Sequence, residues 1–240
     1  MKLAKILIPF GIIVTLSYVP MFFPAEWVDL FVREDRIYES LGALFFLIAA
    51  LIFGFAFFRV DRRLAYLAFA VVFIIFAGEE ISWGQRIFRT GDSELVRNIN
   101  AQQETNIHNL KFLDANRGTA GLLSAGTLFL IFVLAVWLFI PLIAAAYEPG
   151  KQFFASFMPI FSLQLFLLMI LNFALFFAVG IFLNSYPALY HHRWMSFDWA
   201  LTEVLEFDTA LILLVITAYH VFALASGDAI PRDDAPADAQ

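Results

Sequence analysis

The chain has 240 residues, 62% of them hydrophobic and only 15% charged, with 30 phenylalanines and a net charge of −6. Its mean hydropathy of +0.80 is far above that of a soluble domain and points to membrane helices, while scattered acids without a basic run speak against nucleic-acid binding. The lack of cysteine excludes disulfides, thiolate nucleophiles and thiolate metal ligands.

Six apolar segments read as spanning helices, so the expected fold is an all-α polytopic membrane bundle with membrane lipids as its surroundings. The first, 3–23, follows Lys2 and Lys5 and has no good small-residue cleavage site near FFPAEW, which makes it an anchor. The second, 39–58, stops at Arg59, Asp61, Arg62 and Arg63. The third, 64–88, is an unbroken apolar run that ends in Glu79 and Glu80, then Trp83, Gln85 and Arg86. The fourth spans 119–145, a long fifth 154–183, and the sixth 199–226. Residues 1–226 are expected to form one transmembrane domain, and the Pro-, Asp- and Ala-rich tail 227–240 to be disordered.

Basic residues near helix ends set the expected orientation. Lys2, Lys5 and the Arg59 to Arg63 turn fit a cytoplasmic N-terminus in a bacterial inner membrane, while the opposite side also carries Arg33, Arg36, Arg86, Arg89, Arg97, Lys111, Arg117 and Arg193, interleaved with acids. The loops 24–38, 89–118 and 184–198 would then face outward together.

Most chemistry-bearing residues fall on that outer side. Rising 1.5 Å per residue from Leu64, the third helix carries Glu80 to about 24 Å, still inside a hydrocarbon layer about 30 Å thick. A carboxylate at that depth marks a functional site, because it is costly unless it faces the bundle interior with a partner. Glu39, Glu79, Glu80, Trp83, Gln85, Arg86, Asn109, His191 and Arg193 lie at the same end. So do Glu203 and Glu206, which share one helix face, with Glu206 about 10 Å into the span. Glu104 and His108 are four apart in QETNIHNL and would face one way on a helix. Carboxylates plus an imidazole suit a divalent metal such as zinc, iron or manganese, with Glu104, His108, Glu203 and Glu206 as candidate ligands. Glu79 and Glu80 are the candidate catalytic pair. Trp83 suits an interfacial aromatic belt, and Gln164, Asn172 and His220 suit hydrogen bonds between helices.

The strings REDRIYES, GEEISWGQRIF and QETNIHNL resemble segments of a group of bacterial multi-pass inner-membrane proteins of unassigned function, over about the first half of the chain. That resemblance implies a location and no activity. The glutamate pair is also similar, at a distance, to the first motif of the CAAX-type and glutamic intramembrane proteases. Here Arg86 stands farther from the pair than in that family, and the companion Phe-x-x-x-His and His-x-x-x-Asn motifs do not occur.

Two expectations of different class follow. One is a metal-assisted hydrolase or transferase acting on a lipid or lipid-linked group. The other is a non-catalytic binding, transport or assembly component whose charges form an ion-pair network with Arg86, Arg97 and Arg193. Transport is disfavoured in this reading because the only polar residues picked out near the midplane are isolated amides.

Overall fold

A computed structural model describes residues 3–32, 36–88, 98–100, 105–107, 110–111, 124–186 and 197–227; the side chains of 25, 26, 86, 87 and 197–199 lie outside that description. All the longer elements among them are helices, and an isolated backbone bridge pairs Asn100 with Leu110. The tail 228–240 lies outside the described residues.

Helix α1 (Ala4–Ser17) leads through a tight turn at Val19–Phe22 to the short α2 (Ala25–Val32). The longer α3 (Ile37–Arg59) and α4 (Leu64–Glu80) form the closest pair, followed by the four-residue α5 (Gln85–Phe88). A rod then runs through α6 (Ala125–Leu134), a π-helical turn at Ala135–Phe139 and α7 (Ile140–Ala146). After it come α8 (Glu148–Phe157), α9 (Phe166–Ser185) and α10 (Phe197–Ala225).

Among the described residues five stretches are long and apolar enough to cross a membrane: Ala4–Phe22, the stretch that contains α3 (Ile37–Arg59), Ala125–Ala146, Leu163–Ser185 and Ala200–Ala225. The expected third span is shorter than its apolar run. Helix α4 stops at Glu80 after 17 residues, about 25 Å and the lower edge of spanning length. The expected fifth span is really two elements. Pro159 holds Met158 extended, at φ −138° and ψ 158°, and the chain resumes its helix only at Leu163. What precedes the break is α8, a short amphipathic helix with Phe153 and Phe157 exposed.

Helix α10 is the central post: 61% of its most apolar stretch is buried, against 28% to 39% for the other four spans. It packs on α3 above all, then on α9. Along α3 and α4 the buried positions alternate between alanine (Ala49, Ala50, Ala56, Ala70, Ala77) and phenylalanine (Phe46, Phe53, Phe69, Phe73). Small residues let the backbones approach closely where dispersion, with no hydrophobic drive, must hold helices together. Trp137, on the π-helical turn, stacks on Phe161 with centroids 5.3 Å apart and meets Phe73 edge-on.

Polar contacts mark the two ends of the bundle. At one end Arg63 donates to the carbonyls of Ala155 (2.7 Å) and Met158 (3.0 Å), to Asp61 (2.7 Å) and to the Tyr66 hydroxyl (3.2 Å). Tyr66 in turn meets His220 Nε2 at 3.0 Å. At the other end Thr105 reaches Ser82 and Gln85. The turn after α3 and the connection after α8 therefore share one side, and the segment after α4 lies on the opposite side.

Candidate functional site

The site begins where α4 ends. Ser82 (φ 45°), Trp83 (φ 52°) and Gly84 (φ 75°) all take left-handed backbone. For the two non-glycine residues that conformation costs on the order of 1 to 2 kcal/mol each, so surrounding contacts must hold it. They are dense. The Trp83 indole N–H donates to Glu79 Oε1 at 2.6 Å, and the Ile107 backbone N–H donates to Glu79 Oε2 at 2.6 Å. The Thr105 hydroxyl lies 2.6 Å from the Ser82 carbonyl, and the Thr105 N–H donates to Gln85 Oε1 at 2.7 Å. Asn106 donates to the Ser82 hydroxyl at 3.3 Å, and Asn100 donates to the Asn106 carbonyl at 2.9 Å. The indole lies flat over Gly78, where an added Cβ would sit 2.9 Å from the ring, so only glycine fits beneath it.

The two adjacent glutamates thus differ. Glu79 spends both oxygens holding the turn to the segment 105–107. Glu80 points the other way, onto α3, where Gly42 leaves room: a Cβ there would lie 3.6 Å from Glu80 Oε2. Its electrostatic neighbours among the described residues are carboxylates, Glu206 of α10 first, then Glu39 of α3 and Glu79. Glu80 and Glu39 are half-buried and Glu206 is exposed. Three helices therefore bring Glu39, Glu79, Glu80 and Glu206 to one end of the bundle, open on one side to the exterior.

The remaining expected residues divide. Glu203 lies one turn before Glu206 on α10 and is half-buried. Gln85 is buried and serves the turn as an acceptor for Thr105. Trp83 is 46% exposed and is more than a belt residue, because its N–H engages Glu79. Arg86 belongs to α5, with its side chain outside the described residues, and Glu104, His108, Asn109, His191 and Arg193 lie outside them altogether. Among the described residues no three acidic or histidine side chains are arranged to hold one metal ion.

His220 and Asn172 pair between helices. Asn172 accepts from the Tyr18 hydroxyl at 2.7 Å and donates to the Leu205 carbonyl at 3.1 Å. Gln164 instead sits exposed in the turn that opens the Leu163–Ser185 span. Sequence reasoning missed Asp208. This acid is fully buried on α10, with Ser17, Tyr18 and Tyr38 around it. The signal was available: in EVLEFDTALILL it is the third acid, and the one that reaches deepest into the apolar run.

No known family, characterised protein or solved structure matches the chain.

Proposed function

We propose that this chain is an integral protein of a bacterial cytoplasmic membrane, N-terminus inside, and that Glu80 acts as the proton-transferring group of an enzyme working on a lipid or lipid-linked substrate at the outer membrane interface. The observation that carries the reading is the division of labour between the adjacent glutamates. Glu79 is consumed by the turn, while Glu80 lies against α3 beside Gly42, with Glu206 and Glu39 as electrostatic neighbours. Carboxyl groups gathered from three helices at one end of a bundle are the kind of arrangement that acid–base sites use. A carboxyl group held at the edge of the hydrocarbon, beside an exposed partner such as Glu206, is placed to take a proton from a headgroup hydroxyl or a water molecule and return it. The placement in the membrane rests on the basic residues at the opposite end and on the resemblance of the GEEISWGQRIF segment to bacterial inner-membrane proteins.

The test is Glu80→Gln, which keeps size and hydrogen bonding and relieves like-charge repulsion. The variant is expected to express, to melt in detergent at or above the wild-type temperature, and to fail to complement a deletion strain. Glu206→Gln should behave in the same way. Severe loss of thermal stability in both variants would replace the catalytic reading with a structural charge network in a non-catalytic protein. Full complementation by both would remove the site from any account of function.

A further inference from the structure

A second acid lies inside the bundle, apart from the interface carboxylates. Asp208 is 0% exposed, nine residues and so about 13 Å along α10 from Trp199. Its Oδ2 lies 2.5 Å from the Ser17 hydroxyl, which is also 2.8 Å from the Val14 carbonyl. One hydroxyl has one hydrogen and cannot donate fully to both. The other carboxyl oxygen, Oδ1, is buried and has no hydrogen-bond partner among the described residues. Ser17 is the last residue of α1, so the acid sits beside the negative end of that helix. The Tyr38 hydroxyl donates to the Ser17 carbonyl at 2.6 Å, and among the described residues Tyr18 and Tyr38 are the titratable side chains that face Asp208. Asn172 of α9 and Thr209 of α10 complete the polar layer. Among the described residues no lysine, arginine or histidine makes an ion pair with Asp208.

An ionised carboxylate without a protein cation, at a helix C-terminus and out of water, is disfavoured by several kcal/mol. The charge must therefore be met by something small. We propose that Asp208 and Ser17 form a binding site for a small monovalent cation, either a proton or a sodium ion, inside the helix bundle. A proton would bridge Oδ2 and the Ser17 hydroxyl, leaving the serine hydrogen for Val14. A sodium ion would take Oδ1 and the neighbouring hydroxyl oxygens. This site is distinct from Glu80, and it supplies the buried polar layer that ion-coupled membrane proteins place within their spans.

The experiment uses the full-length protein in detergent. Melting is followed as sodium chloride replaces choline chloride at fixed ionic strength and pH, and the infrared spectrum is recorded for the carbonyl stretch of a protonated carboxyl group. Sodium binding is expected to give saturable stabilisation by sodium over choline that is lost in Asp208→Asn. Proton binding is expected to give a protonated-carboxyl band at neutral pH that is lost in Asp208→Asn and shifted in Asp208→Glu. If Asp208→Asn does not accumulate, Ser17→Ala removes one ligand and should weaken the sodium response or shift the band. Glu80→Gln should leave either signal intact, which separates this site from the interface reading. Equal melting in sodium and choline, together with no protonated-carboxyl band sensitive to Asp208 or Ser17, would overturn the proposal.

Discussion

Two neighbouring glutamates with the same side chain are given different tasks by one turn of backbone. Beyond Ile81 the chain passes into three left-handed residues, Ser82 to Gly84, and the indole of Trp83 and the N–H of Ile107 are thereby brought to the two oxygens of Glu79. A carboxylate can accept from both donors at once, whereas a glutamine has one accepting oxygen and an NH2 group that would confront the second donor. Glu79→Gln is therefore expected to lower stability by about 1 to 3 kcal/mol, the usual consequence of leaving a partner unsatisfied. Thermal melting in detergent checks this against Glu80→Gln. Equal stability of the two variants would show that the turn does not depend on Glu79. The pairing of EE with W and G is visible in the sequence, but its geometry is not: a left-handed serine and tryptophan leave no signature beyond Gly84. That is why the adjacent glutamates looked interchangeable.

At the scale of elements, hydropathy found the spans and misjudged where two of them end. The α3, α6 to α7, α9 and α10 helices follow their apolar runs closely, because a helix that satisfies its own backbone is the only way such a run can sit in hydrocarbon. The run through 64–88 stays apolar past Glu80, so composition carried the helix beyond the point where the turn stops it. The run 154–183 contains Pro159, and its consequence for Met158 was outweighed by the length of the apolar stretch. Helix α8 is consequently a separate amphipathic element, and Arg63 fixes it to the bundle. Its guanidinium meets the Ala155 and Met158 carbonyls, Asp61 and Tyr66 together. A lysine carries three donors on a point charge and cannot reproduce that fork. Arg63→Lys is expected to loosen α8 almost as much as Arg63→Ala, read as faster proteolysis within 147–162 of protein in detergent micelles. Full protection in the lysine variant would show that charge alone anchors the helix.

For the whole molecule, the contacts at the two ends imply an alternation that fixes which connections share a side. Arg63 ties the turn after α3 to the connection after α8, while Thr105 ties the segment after α4 to the carboxylate end. Asn98 and Ser185 should thus face one aqueous compartment and Lys151 the other, with Lys5, Arg59 and Arg62 beside Lys151 on the basic side. The compact Arg59 to Arg63 turn and Lys5 argue for a cytoplasmic location of that end, although eight of the fifteen lysines and arginines, interleaved with acids, belong to the carboxylate end. The chain has no cysteine, so single cysteines can be introduced without background. Asn98→Cys and Ser185→Cys, both at exposed positions, are expected to react with a membrane-impermeant thiol reagent in intact spheroplasts, and Lys151→Cys only after lysis. The mirror pattern would invert the protein and move Glu80 and its neighbours to the cytoplasmic face, where the substrate would have to be sought. Labelling of Asn98→Cys without Ser185→Cys would break the alternation itself, because α4, with its 17 residues, is the element whose crossing the count depends on.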